Sequence, residues 1–302
     1  MYHSFFGLLE PPFSITPDPR YLFLSVRHAE ALAHLVYGVS EAGGFIQLTG
    51  EVGTGKTTVV RSLLARDLPG VEIALILNPR LNVKEFLQTL CQELKIRLTP
   101  ARRGSVKALM DVIAERLLSA HAEGRRVALL IDEAHLLDRE VLEQVRLLTN
   151  IETPTRKLLQ IILIGQPELR DLLARQDLRQ VAQRITGRHH LQALSADETA
   201  AYVRHRLQVA GATTDIFTPR ALAALQRASA GLPRLINVVA DRALLGAYAR
   251  EQRTVDAAMV RRAAAEISGR ESSRRAYLWP WLAALGVLLV LITSLMWITG
   301  KL

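Results

Sequence analysis

The sequence predicts an α/β fold: a parallel sheet with helices on both faces, then an all-helical unit, then one membrane-spanning helix. Three observations predict it. Short apolar runs alternate with helical patterns up to residue 194, strand signals then stop, and residues 277–298 carry no charge.

Residues 1–26 are rich in proline and aromatics and read as an irregular, docked N-terminal segment. No Lys or Arg precedes Arg20, and Pro11, Pro12, Pro17 and Pro19 interrupt any apolar run, which excludes a signal peptide. A helix is expected over 27–41, stopped by Gly43 and Gly44. Strand candidates follow at 45–49, 73–77, 127–131 and 158–164, with a short one at 188–191. Asn82 with Glu85 forms a capping box, and Ser105 is placed to cap the helix that runs to Gly124. The α/β core is therefore assigned to 27–194.

Beyond Leu194, Ser195 with Glu198 makes a second capping box, and Thr218-Pro219 and Gly231-Leu232-Pro233 each open a helix. Residues 195–268 form a helical lid, and the polar, basic stretch 269–276 reads as a linker. The next 22 residues, 277–298, include seven leucines, and as a helix they span about 33 Å, enough for a bilayer core. Trp279, Trp281 and Trp297 lie near the two ends, and Pro280 falls in the first turn. Arg262, Arg270, Arg274 and Arg275 precede the span and only Lys301 follows it, so the residues before Tyr277 are expected in the cytoplasm. The expected location is a bacterial inner membrane, crossed once.

Composition narrows the function. The chain has 302 residues, 49% of them hydrophobic and 22% charged, which excludes a disordered class. The single cysteine, Cys91, lies among Phe86, Leu87, Leu90 and Leu94 and reads as a core thiol; one cysteine excludes a disulfide framework. The net charge of +9 hints at nucleic acid, but 32 of the 38 basic residues are Arg and they are scattered. That skew, with abundant Ala and Leu, reads as the coding bias of a GC-rich genome.

The chemistry begins at Gly50-Glu51-Val52-Gly53-Thr54-Gly55-Lys56-Thr57, with Thr58 beside it. This fits the phosphate-loop pattern G-x-x-x-x-G-K-[ST] and sits where that pattern must, after a strand and before a helix. Glycines let backbone amides close round phosphate oxygens, and the helix N-terminus adds positive potential. Lys56 would reach the β- and γ-phosphates of ATP, and the Thr57 hydroxyl would ligate Mg²⁺. The strand at 127–131 leads into Asp132-Glu133. Asp132 would hold the Mg²⁺ shell and Glu133 would polarise the attacking water. Asp132-Glu133-Ala134-His135 also spells a helicase motif, but the chain is too short for two helicase lobes, and His135 is assigned to the surroundings of the site. His189-His190 are strand neighbours facing opposite ways, with no third metal ligand apparent.

The strand between the two motifs and the glutamate beside the acid resemble the additional-strand branch of phosphate-loop ATPases, and the helical lid narrows the resemblance to AAA+. That resemblance implies a sheet order of 5-1-4-3-2 and an active site between subunits. It implies that Gln166, after Leu163-Ile164-Gly165, is a polar sensor of the γ-phosphate, with a plain strand-end cap as the alternative. It implies an arginine finger in Val181-Ala182-Gln183-Arg184: Arg184 is chosen, with Arg179 and Arg188 as rivals and a merely solvated helix face as the alternative. It implies that Arg234, in Gly231-Leu232-Pro233-Arg234, is a second sensor.

The N-terminus is more specific. Tyr2, Phe5-Phe6-Gly7-Leu8, Pro12-Phe13, Thr16-Pro17-Asp18-Pro19 and Leu22 precede His28 and Ala31-Leu32. With Gly165-Gln166-Pro167-Glu168-Leu169 and Gln183-Arg184-Ile185-Thr186, the chain resembles the ExeA-type AAA ATPases over about 1–298. These form the general secretion pathway protein A family, with relatives in mannose-sensitive haemagglutinin pilus biogenesis. Secretion-pathway members carry a periplasmic peptidoglycan-binding domain beyond the span. Here the sequence stops at Leu302, which suits the shorter pilus-type relatives or a wall-binding part on a partner.

The resemblance implies a homo-oligomeric, membrane-anchored ATPase that hydrolyses Mg·ATP and supports assembly of a secretion, pilus or polysaccharide export machine, with a peptidoglycan-binding, secretion or pilus protein as partner. Two other classes remain open: a DNA-binding ATPase of the transposition-helper type, opposed by the span and by the lack of a DNA-reading motif, and a nucleotide-switched scaffold with slow turnover.

Overall fold

The computed structural model describes residues 2–16, 18–41, 43–154 and 156–269. The predicted membrane helix over 277–298, and all of the predicted linker except Gly269, lie outside the described residues. Among the described residues no helix is long and apolar enough to cross a membrane.

The chain divides into two compact units. Among the described residues, one comprises 2–16 together with 195–231 and 235–269; the other comprises 17–194 with 232–234. The elements, in chain order, are α1 (Tyr2–Phe5), α2 (Val26–Glu41), β1 (Gly44–Gly50), α3 (Lys56–Leu64), β2 (Val71–Ile76), α4 (Val83–Glu93), α5 (Pro100–Arg103), α6 (Val106–Ala122), β3 (Arg126–Ile131) and α7 (Arg139–Leu148). They continue with β4 (Leu159–Gly165), α8 (Glu168–Ala174), α9 (Arg179–Ala182), β5 (Ile185–Leu191), α10 (Ala196–Val209), α11 (Pro219–Ser229), α12 (Pro233–Tyr248) and α13 (Ala257–Ile267).

In the α/β unit the five strands are all parallel, in the order β2-β3-β4-β1-β5, the expected 5-1-4-3-2 read from the other edge. Alternation along each strand sends side chains to opposite faces. Phe45, Val127, Leu129, Ile131, Ile161 and Leu163 join the core under α4, α6 and α7. Ile46, Leu48, Ala128, Leu130, Ile162 and Ile164 join the core under α2 and α3. β1 and β4 are buried on both faces, so their sequences are near-continuous apolar runs. β5 is an edge strand whose burial alternates. Its outward Thr186, Arg188 and His190 dilute the apolar signal, so a strand that begins at Ile185 is expected from sequence only over 188–191.

The helix starts follow local chemistry. Asn82 Oδ1 accepts from the Glu85 amide at 3.0 Å and Glu85 Oε2 accepts from the Asn82 amide at 3.0 Å. Ser195 and Glu198 repeat this at 3.2 and 2.8 Å. Ser105 Oγ caps α6 and Thr218 Oγ1 caps α11.

The predicted N-terminal segment is split between the units. Residues 2–16 form a strap across the helical unit. Tyr2 O–H donates to Asp241, and the ring of Phe5 meets Tyr248 edge-on at 5.4 Å with Arg253 stacked over it. The Leu9 amide donates to the Ala210 carbonyl at 2.8 Å. The buried Arg206 donates to the carbonyls of Pro12 at 2.6 Å and Ser14 at 3.2 Å, and to Tyr202 Oη at 3.0 Å. Phe13, 2% exposed, meets the ring of Phe217 at 6.0 Å. Such a ring contributes the unit's apolar payload more than any strap hydrogen bond does. Phe13→Ala is expected to cost about 3–5 kcal/mol of stability in the helical unit. Urea unfolding of the variant, followed against the parent, checks this; a change below about 1 kcal/mol would show that the strap is not part of that core.

Candidate nucleotide site

β1 ends at Gly50, and the chain turns through Glu51–Gly55 before α3 starts at Lys56. The Thr54 amide and hydroxyl both donate to the Glu51 carbonyl, at 3.3 and 2.9 Å, closing the turn. Gly53 has φ +84° and Gly55 φ +101°, conformations that other L-residues rarely adopt. A Cβ at Gly50 would stand 2.7 Å from the Leu191 carbonyl oxygen and 2.8 Å from Thr54 Oγ1. No side chain caps α3, so its first amides stay open to an oxyanion.

Lys56 is buried, and its Nζ donates to the carbonyls of Gly50 at 2.7 Å and Glu51 at 3.0 Å. Burial pushes its pKa down, while Glu133, Asp132, Glu51 and Glu168 pull it back up. Parallel pairing brings β3 beside β4, with Ile131 level with Leu163, and carries Asp132 to the same sheet end. The Asp132 amide donates to the Ile76 carbonyl at 2.9 Å. Asp132 is 6% exposed; burial, and then the Glu133 charge, push its pKa above the ordinary carboxylate value, against the lowering effects of the Glu133 amide (2.9 Å to Oδ1), Lys56 and Thr57. The Thr57 hydroxyl lies near enough to Asp132 to favour its charged form. A hydroxyl beside a carboxylate suits a hard cation such as Mg²⁺, which takes few protein ligands and keeps waters.

Glu133 has φ +50°, a strained setting for a non-glycine residue of the sort that persists where function requires it. Its buried Oε2 has no hydrogen-bond partner; His135 Nδ1 stands 3.4 Å away. The same His135 Nδ1 faces the Gln166 amide at 3.4 Å, so the end of β4 and the acid pair meet through one imidazole. A Cβ at Gly165 would lie 3.2 Å from the His135 amide nitrogen, which keeps that position small. Arg234 reaches the loop from its other side: its amide faces the Gly53 carbonyl at 3.5 Å, and a Cβ at Gly53 would lie 2.9 Å from Arg234 Cβ.

The sequence-selected residues therefore fall into two groups. Lys56, Thr57, Asp132, Glu133 and the loop from Gly50 to Gly55 converge, with Gln166 and Arg234 beside them. Arg184 is not among them: its Nη1 donates to Thr149 Oγ1 at 2.6 Å and faces the Arg146 carbonyl at 3.4 Å, within its own chain. Arg188 donates to the Ala182 carbonyl at 2.8 Å, and Arg179 is exposed on α9. His189 stacks on His34 with centroids 4.0 Å apart, and His190 Nδ1 meets Thr49 Oγ1 at 3.1 Å. Glu168, which adds to the field at Lys56, escaped the sequence reading. Its only signal was an acid in the first turn after Gln166-Pro167.

A carboxyl whose folded-state pKa is raised holds its proton more tightly in the folded chain. Its contribution to stability is full below the unfolded value and is lost as pH rises through the shifted one. Asp132→Asn is therefore expected to raise the thermal midpoint of the nucleotide-free protein at pH 7, with the gain shrinking as pH falls to the ordinary carboxylate range. Thermal melts of both proteins at pH 4 to 8 without Mg²⁺ test this, and a variant less stable at pH 7 than at pH 4 relative to the parent would contradict it.

Comparison with known proteins gives the family and the fold. The AAA domain family matches residues 39–173. The chain is 54% identical over 269 residues, 89% of its length, to General secretion pathway protein A of Aeromonas hydrophila, and it spans 49% of that relative's length. Solved structures share the fold. The ORC2 protein of Aeropyrum pernix superposes with a TM-score of 0.62 at 19% identity, covering 85% of this chain and 71% of that one. Drosophila ORC bound to DNA gives 0.64 at 20%, covering 88% and 65%. The RuvB branch-migration motor of Thermotoga maritima gives 0.54 at 14%, covering 82% and 73%. With its phosphate loop, strand-end acid pair and five-stranded parallel sheet, and with this identity over most of its length, the chain belongs to the ExeA-type AAA ATPases.

Proposed function

We propose that this chain hydrolyses ATP at an interface between copies of itself and, anchored by residues 277–298, serves a secretion-related machine in the bacterial envelope. The observation that carries the reading is the convergence of the Gly50–Gly55 loop, Lys56, Asp132 and the unpartnered carboxylate oxygen of Glu133. The loop amides and the open end of α3 would receive the β-phosphate. Lys56 would exchange its carbonyl partners for phosphate oxygens, a gain for a buried ammonium held by neutral dipoles. Thr57 and Asp132 would hold Mg²⁺, which when bound offsets phosphate charge as it develops. Glu133, with one free acceptor oxygen, would take the proton of the attacking water. Gln166 and Arg234 would contact the γ-phosphate.

A finger from a neighbour completes the proposed site. The Thr149 bond holds Arg184 in its own chain and favours the exposed Arg179 for that role. The similarity to a secretion pathway protein supports the envelope setting, and the charge-free run 277–298 supports the anchor.

The test is ATP hydrolysis by the full chain in detergent, over a range of protein concentrations, with and without DNA. Specific activity that climbs with concentration and ignores DNA is expected; strong stimulation by DNA would displace this reading. Lys56→Ala is expected to abolish nucleotide binding. Glu133→Gln is expected to retain binding and lose about 10²–10⁴-fold in kcat, and normal turnover would remove Glu133 from its role. Deleting 277–302 is expected to move the protein from the membrane pellet to the supernatant, and a deletion that still sediments with membranes would place the anchor elsewhere.

A further inference from the structure

His28, named above only among the residues of the N-terminal resemblance and given no role there, touches the loop. It stands in the first turn of α2, where Ser25 begins the helix: the Ala29 amide donates to the Ser25 carbonyl at 2.9 Å and the His28 amide faces Ser25 Oγ at 3.5 Å. His28 is 3% exposed. Its Nδ1 meets Ser25 Oγ at 2.7 Å and its Nε2 meets the Thr54 carbonyl oxygen at 2.9 Å. A carbonyl only accepts, so Nε2 carries a hydrogen and donates it to Thr54, while the Nδ1 contact with Ser25 holds the ring in place. The ring also fills the space beside Gly55: a Cβ there would stand 2.7 Å from Nε2.

The bond acts through one peptide plane. In a trans peptide the carbonyl and the following N–H point in opposite directions. Holding the Thr54 carbonyl toward α2 turns the Gly55 N–H to the opposite side, where the first amides of α3 open. Gly55, at φ +101°, is a residue at which that plane could rotate at little steric cost. Rotated, it would present a carbonyl oxygen where the cradle needs a donor, and so repel a phosphate.

We infer that His28 is a positioning residue for the phosphate loop: by bonding the Thr54 carbonyl, it fixes the Gly55 amide in the direction that receives phosphate oxygens. The inference rests on the nucleotide reading of the loop. It assigns to α2, ahead of the motif in sequence, control over how well ATP is held.

The test uses the full chain and Mg·ATP, measuring equilibrium binding, kcat and KM. His28→Phe keeps the ring and removes the donor; His28→Gln returns an N–H at similar reach. The Phe variant is expected to weaken binding about ten-fold, the size an ordinary hydrogen bond confers, with kcat at saturation within about three-fold of the parent. The Gln variant is expected to recover to within about three-fold. Ser25→Ala, which leaves the ring without its Nδ1 partner, is expected to fall between them. Equal weakening in the Phe and Gln variants, or binding by the Phe variant within about two-fold of the parent, overturns the inference. If the Phe variant does not fold, the comparison of Ser25→Ala and His28→Gln with the parent decides: parent-like binding by Gln with weaker binding by Ser25→Ala upholds it, and any other order overturns it. Lys56→Ala serves as the control for the underlying reading. Lost binding there with unchanged binding in His28→Phe removes only the clamp, whereas unchanged binding in Lys56→Ala removes the nucleotide site itself.

Discussion

The parallel register of β1, β3 and β4 is the constraint on which the site depends. Thr49 lies level with Gly165, and Ile131 with Leu163, so the three strands end within a residue or two of one another. Everything polar in the site hangs from those ends: the loop after Gly50, the acids after Ile131 and the amide of Gln166 after Gly165. A parallel sheet buried on both faces has little tolerance for slippage, because a shift of one residue sends every apolar side chain to the wrong core. Two separate apolar cores, one on each face, thus hold the chemistry to sub-residue accuracy without themselves taking part in it.

The site in turn costs the fold something. Burial works against ionisation at both Lys56 and Asp132, Glu133 adopts a positive φ, and its Oε2 is left without a hydrogen bond. These departures from a relaxed interior gather at one end of the sheet, whereas the capping boxes at Asn82 and Ser195 and the apolar strand faces obey local preference. Strain gathered at one point, in a chain otherwise consistent with its fold, is the pattern expected of a functional centre.

Much of this was legible from sequence. β1, β3 and β4 stand out because a strand buried on both faces is apolar throughout, and the loop stands out because its glycines and lysine obey a fixed spacing. The helix starts at Asn82, Ser105, Ser195 and Thr218 carry their own caps. What escaped depends on residues far apart in the chain. Nothing near Arg184 announces that Thr149 will take its guanidinium, since the two are brought together only by packing. β5 is half hidden by the polar side chains of an edge. The Ser25–His28 pair looks like the opening of any helix until Thr54 is placed against it. The early segment read as one docked piece is two pieces, because proline and aromatic content says that a chain is anchored and not to what.

That division has a consequence for biosynthesis. Residues 2–16 find their partners on α10, at Phe217 and on α12, and residues 17–194 must be made in between. At about 5–20 residues per second, the strap leaves the ribosome roughly 10–40 s before the surface it covers exists. Through that interval Phe5, Phe6, Leu8 and Phe13 are an exposed apolar tag on a nascent chain, whereas the α/β unit can close without them. The helical unit is thus assembled from segments made before and after the α/β unit, and the α/β unit that carries the nucleotide loop has all of its sequence except 232–234 before its companion can begin to fold.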